Sequence, residues 1–187
     1  QFDSIYTLNE KSKKVIESIG NKNTIVCGDL RFDADIPKLS RKASDNIKKF
    51  LDNKTCLVFG STWREDEDII LRYIKSSNRK IKYIIAPHEI SNNPKRIKKL
   101  LGNKSILYSD IKLKTNLQEF SCLIIDNIGM LSSLYNYSSI SYVGGGMGKK
   151  GLHNTLEPAY FSKPIIIGKN YQKFEEANEM IKNGNMI

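Results

Sequence analysis

Residues 141–168, SYVGGGMGKKGLHNTLEPAYFSKPIIIG, decide how the rest of the chain is read. A buried-type apolar run ends in Gly144, Gly145 and Gly146, with Gly148 close behind, passes into the helix-like HNTLEPAYF, and returns to a second apolar run, PIIIG. A strand that enters a glycine-rich loop and then a helix has the architecture of a phosphate site. The glycines permit positive φ and close approach of a ligand, and a helix beginning near Asn154 would aim its free amides and positive dipole end at the loop. The stretch is neither a Walker sequence, since no GK[ST] follows, nor a spaced G-x-G-x-x-G opening the first strand–helix unit. A glycine turn by itself is a weak signal, and the helix behind it adds the weight. Asn154 and Glu157 are three apart and share a helix face, so both can reach one ligand. A carboxylate accepts from the two hydroxyls of a ribose, and an amide donates to phosphate or sugar oxygen. The plainer reading of Glu157 is a surface acid favoured by the helix dipole.

Working outward, short β-branched runs alternate with longer amphipathic segments from residue 44 onward, the pattern of an α/β domain with a mainly parallel sheet. Six strands are expected at 55–61, 82–87, 105–109, 122–126, 139–145 and 164–168, a complete doubly wound, Rossmann-like set. Helices are expected at DEDIILRYIKSS and NNPKRIKKLLG, with acids or Pro at their starts and Lys or Gly at their ends. IGMLSSLYNYS, HNTLEPAYF and YQKFEEANEMIKNG complete the series. Residues 1–33 read as one further strand–helix–strand unit, the remnant of a preceding domain. Residues 34–43, in the aperiodic RFDADIPKL region, read as an interdomain linker, and 44–187 as the principal domain with its last elements missing. The expectation is a fragment.

Two more strand ends fall on the carboxyl edge where open parallel sheets bind ligands. Gly60 and Ser61 follow one strand, and Pro87, His88 and Glu89 follow the next. Ser61 can donate to a phosphate or carboxylate oxygen, and the PHE turn can offer backbone groups to a base edge.

A chain of 187 residues with 40% hydrophobic composition supports one well-buried core. It contains no apolar run of membrane-spanning length, and its polar opening lacks a signal-peptide core, so a cytoplasmic chain is expected. Cys27, Cys56 and Cys122 are odd in number, far apart and set in apolar runs, and read as reduced core residues. Neither His88 nor His153 has a partner at ligand spacing, so no metal or cofactor is expected. The net charge of +10 admits nucleic acid, an acidic membrane face or a phosphorylated small molecule. Its lysines lie mostly on helical faces without interleaved aromatics, which argues against nucleic acid.

Taken in order, GDLRFD, GSTWREDE, IIAPHEI, YVGGGMGKKGLHNTLEPA and KPIIIGKNYQKFEEA resemble the successive signature segments of the 3-deoxy-D-manno-octulosonic acid (Kdo) transferases, over essentially the whole chain. The resemblance implies the C-terminal half of a GT-B glycosyltransferase: two facing Rossmann-like domains, an inverting and metal-independent reaction, CMP-Kdo as donor and lipid A precursor as acceptor. It also implies lipopolysaccharide synthesis at the cytoplasmic face of the bacterial inner membrane. By the same resemblance Gly60, Ser61, Pro87, His88, Glu89, Gly144, Gly145, Gly146, Asn154 and Glu157 would hold the donor, with Arg31 near the cleft. No catalytic residue is expected here, because the family's proposed carboxylate base and the acceptor site lie in the N-terminal domain. Other readings are a UDP-sugar glycosyltransferase or sugar-nucleotide epimerase of the same fold, which CMP-versus-UDP binding separates. A basic nucleic-acid module is a third, separated by steep salt dependence without CMP competition.

Overall fold

The alternation of β-branched runs with amphipathic segments becomes alternating strands and helices in the computed structural model, which describes residues 2–33 and 38–187. The chain divides into two units, residues 1–35 and 36–187. In the smaller, β1 (Ile5–Thr7) and β2 (Thr24–Val26) pair in parallel, joined by α1 (Glu10–Ser18). Asn9 caps α1, its Oδ1 accepting from the Ser12 amide at 2.8 Å. No residue of α1 is buried. Cys27, just after β2, is exposed rather than part of a core: two short strands and one helix cannot cover it.

The larger unit opens with α2 (Arg41–Leu51), where Ser40 Oγ accepts from the Ala43 amide at 3.2 Å and Ala43, Ile47 and Phe50 are buried. Helix therefore begins inside the segment 34–43 that read as linker, because a cap and a buried stripe at helical spacing are both present. Residues 34–37 of that segment lie outside the described residues. There follow β3 (Cys56–Thr62), α3 (Arg64–Ser76), β4 (Lys82–Pro87), α4 (Asn93–Leu101), β5 (Ser105–Leu107), β6 (Cys122–Ile124), α5 (Leu131–Leu134), β7 (Ile140–Val143), α6 (Leu156–Tyr160), β8 (Ile165–Ile167) and α7 (Glu175–Lys182). The six strands β3 to β8 form one all-parallel sheet in the order β5-β6-β4-β3-β7-β8. At the outer edge Met186 bridges Ile165, and Ile187 exchanges backbone hydrogen bonds with Ile165 and Ile167.

Successive strand residues serve opposite faces. Val58, Ile84 and Leu123 pack with Ile47, Phe50, Leu134 and Ala177 on one side, while Phe59, Ile85 and Ile124 pack with Ile70, Leu71 and Ile97 on the other. Both faces are thus covered, which is why all six residues of β4 are buried and its sequence is nearly all apolar. Strand order reverses about β3: the chain first adds β4, then β5 at the edge and β6 between them, and then returns to add β7 and β8 on the other side. The carboxyl ends of β3 and β7 form the topological switch point, where sheets of this kind open a crevice. No helix among the described residues is long and apolar enough to cross a membrane.

Candidate functional site

At the switch point the backbones of two strand ends touch. The Gly144 amide donates to Gly60 O at 2.9 Å, and a Cβ on Gly144 would lie 2.4 Å from Ser61 O. Only glycine fits there. Ser61 adopts a φ of +50°, and the β3–β4 register shifts between Gly60 and Thr62, so the strand turns away as the loop after β7 crosses it. Gly145 has φ +94° and folds back on Gly151, while the His153 amide donates to Gly144 O at 3.1 Å and closes the loop at its neck. Gly146 packs on Gly168. The glycines expected to give a ligand room are used in large part for backbone-on-backbone packing, which shapes the loop itself.

Asp66, in the first turn of α3, is 1% exposed and ties this loop down. Its Oδ2 accepts from the Trp63 amide at 2.9 Å and the Gly145 amide at 2.8 Å, and its Oδ1 from the Tyr142 hydroxyl at 2.6 Å. Burial first, and then this bond, push the Tyr142 phenol far up. The first-turn acids of DEDIILRYIKSS read in the sequence as helix-dipole complements, and that reading gives Asp66 no role in the site. A polar residue at the third position of a helix can reach back to the cap amide, and that spacing was the available signal.

Three rings meet beside the loop. Trp63 and His88 stack at 4.4 Å between centroids, His88 and His153 at 4.4 Å, and the Trp63 indole Nε1 donates to His153 Nε2 at 2.8 Å. Lys150 Nζ lies 5.1 Å from the Trp63 ring centroid. The turn after β4 is held by the His88 amide donating to Thr62 O at 2.9 Å. Pro87 is buried as the last residue of β4, and Glu89 is exposed beyond it. Burial foremost, and His88 next, hold the His153 imidazole below its ordinary range, with Asp66 opposing. Trp63 and His153 were not singled out as site residues, since neither ring has its partners within ten residues in the chain.

Helix α6 starts at Leu156, two residues later than expected, because Asn154 turns inward before it. Asn154 Oδ1 accepts from the Leu156 amide at 3.1 Å and its Nδ2 reaches Glu157 Oε1 at 3.5 Å. The Glu157 carboxyl also meets the Ser132 hydroxyl. Burial, the largest effect, raises its pKa against the bonds from Ser132 and Asn154, and its charge contributes to the upward shift of the Tyr135 phenol. A Cβ on Gly60 would lie 1.9 Å from Tyr135 Oη, which places this cluster at the end of β3. Arg31 belongs to the small unit, where its guanidinium pairs with Asp29, Nε to Oδ2 at 2.9 Å, and holds that carboxyl below the usual range.

The switch point thus gathers Gly60, Ser61, Pro87, His88, Gly144, Gly145, Gly146, Asn154 and Glu157 at the ends of β3, β4 and β7. A separate cleft of about 850 Å³, lined by Lys75, Arg79, Tyr83 and Lys104, lies at the opposite strand ends.

No family model matches the chain. It is 30% identical to the 3-deoxy-D-manno-octulosonic acid transferase of Rickettsia felis, over 98% of this chain and 42% of that protein. With the corresponding enzyme of Rickettsia bellii the identity is 31%, over 92% of this chain and 42% of that protein. A bifunctional glycosyltransferase/methyltransferase of Fusobacterium nucleatum is 31% identical over 95% of this chain and 29% of its own length. The chain therefore spans less than half the length of these relatives. Among solved structures, the C-terminal CMP-Kdo binding domain of WaaA from Acinetobacter baumannii superposes with a TM-score of 0.62 at 21% identity, covering 78% of this chain and 79% of that one. That likeness shows the same fold.

Proposed function

We propose that this chain, related over nearly its whole length to the C-terminal part of the Kdo transferases, is the donor-binding domain of such an enzyme and holds CMP-Kdo at the carboxyl ends of β3, β4 and β7. The observation that carries this reading is the glycine loop at the switch point, pinned to α3 by the buried Asp66 through the Gly145 amide. A loop anchored from beneath keeps its amides ordered before ligand arrives, and preorganised donors stabilise charge without reorganising.

In the proposed reaction an acceptor hydroxyl of lipid A precursor attacks the anomeric carbon of Kdo from the face opposite CMP. The bond from that carbon to the phosphate oxygen breaks and the configuration inverts. The acceptor's proton passes to a carboxylate base, which the family resemblance places in the N-terminal domain together with the acceptor site and the surface facing the inner membrane. CMP leaves as a phosphate monoester that gains negative charge, and loop amides with Lys149 and Lys150 offset it. Glu157 accepts from the ribose hydroxyls, and the turn Pro87–Glu89 faces the base. No metal is assigned a role. The remaining residues position the sugar, and positioning is worth several orders of magnitude in rate.

Calorimetric titration of the 187-residue chain with CMP and UDP tests this. CMP is expected to bind and UDP to bind at least tenfold more weakly. Equal or tighter UDP binding would transfer the chain to a UDP-sugar enzyme, and chelator should leave CMP binding unchanged. The chain alone should show no turnover of CMP-Kdo above background with lipid A precursor, because the base is supplied from the other domain.

A further inference from the structure

The ring cluster beside the glycine loop contains a donor that cannot become an acceptor. Indole Nε1 carries a proton at every accessible pH and has no lone pair to offer. With Trp63 Nε1 2.8 Å from His153 Nε2, that nitrogen must be the unprotonated one, so the imidazole is neutral with its proton on Nδ1. Protonating Nε2 would set two N–H groups against each other and break the bond. The surroundings work in the same direction. His88 stacks at 4.4 Å on His153 and opposes a positive charge on it, and Lys150 sits over the other member of the pair, Trp63. Among the described residues Asp66, from α3, is the group that favours the cation, and it is already engaged by Trp63 N, Gly145 N and Tyr142 Oη. His153 itself is held by its amide to Gly144 O at the neck of the loop.

We infer that Trp63 is a positioning residue that locks His153 in the Nδ1–H tautomer, so that His153 donates a single neutral hydrogen bond to a phosphate oxygen of the nucleotide in the glycine loop. The inference rests on the donor-site reading for its ligand, and on the ring geometry alone for the tautomer. The lock matters chemically. An imidazolium would bind the phosphate more tightly but would also favour the bound ground state and tie affinity to pH, whereas a neutral donor fixed in one tautomer gives orientation without either effect.

The tautomer is read directly by long-range proton–nitrogen correlation NMR on the ¹⁵N-labelled chain near pH 7.5, where His153 should show a bare Nε2 and a protonated Nδ1. A proton on Nε2, or an imidazolium, would overturn the lock. Adding CMP should shift the His153 Nδ1 resonance, and an unmoved resonance at saturating CMP removes His153 from the phosphate. The variant Trp63→Phe keeps a ring in the stack but deletes the donor. It should bind CMP roughly three- to tenfold more weakly than wild type at pH 8, the worth of a neutral hydrogen bond. The deficit should narrow toward pH 6 as the released imidazole takes a proton. Comparing the two chains at each pH cancels the titration of CMP itself. An unchanged affinity at pH 8 with a constant ratio down to pH 6 would sink the positioning role. Should Trp63→Phe fail to fold, the wild-type resonances still decide. Absence of CMP binding to the wild-type chain would contradict the donor-site reading and with it the ligand half of this inference, while the tautomer stands or falls on the spectrum.

Discussion

Glu157 occupies a position whose cost and use can be separated by substitution. Its carboxyl sits among Tyr135, Ser132 and Asn154, and burial raises its pKa more than those neighbours lower it. A raised folded pKa means that the ionised form is penalised by the fold. The penalty is present at neutral pH and disappears as pH falls into the ordinary carboxylate range, about 4. Glu157→Gln should therefore raise the melting temperature at pH 7, with the gain fading below about pH 4. In the proposed role it should also weaken CMP binding by about 1.5–3 kcal/mol, a tenfold to hundredfold loss. Glu176→Gln, on α7, serves as the control for binding and should leave CMP affinity unchanged. A Glu157→Gln chain that binds CMP like wild type removes Glu157 from the ribose.

Between elements, α3 and α4 are joined by an ion pair between the buried Glu67 and the half-buried Arg96, and Glu67 also accepts from Thr62 Oγ1 at 3.3 Å. Glu67 is 1% exposed, and burial raises its pKa foremost, with Arg96 opposing. Arg96→Met should cost about 3–5 kcal/mol in urea unfolding at pH 7, because it leaves a buried charge alone. The sign with pH follows: removing the cation lifts the Glu67 pKa further, so the deficit shrinks as acid protonates Glu67. Adding Glu67→Gln to Arg96→Met should recover most of the loss, and a double variant as unstable as the single would refute the ion-pair account. The loop after β7 depends on close approach instead. Gly144→Ala should destabilise by roughly 1–3 kcal/mol, since its Cβ meets the backbone of Ser61, which cannot rotate aside. Full stability of that variant in the same unfolding assay would show that the β3–β7 contact is looser than described.

Over the whole molecule, stability should follow the core. The sheet unit buries strands on both faces, whereas among the described side chains of the smaller unit the buried ones are Thr7 and Thr24. Hydrogen exchange should therefore show the amides of β3, β4 and β6 opening last, and those of β1 and β2 opening at far lower free energy. Equal protection in the two units would contradict this. The six strands were legible in the sequence because a fully covered parallel sheet requires continuous apolar runs, and TCLVFGS, KYIIAP and PIIIG are such runs bounded by turn residues. The switch-point loop was legible for a related reason, since five glycines between a strand and a helix have few other uses. The short elements were not. α5 is four residues followed by a 3-10 turn at 135–137, where eleven residues of helix were expected, and α6 is five residues long. Their extents are set by what Tyr135 and Asn154 pack against, not by local propensity. Asp66, Trp63 and His153 illustrate the same limit. Local periodicity assigns each to a helix start or a loop, and nothing within ten residues states that Asp66 receives the Gly145 amide or that Trp63 donates to His153. Sequence by itself determined the parallel sheet and the loop, because burial and backbone freedom are written in residue type at short range. The tertiary structure alone decided which polar groups meet at the switch point, because those pairs are 79 and 90 residues apart and are joined only when β3 and β7 become neighbours.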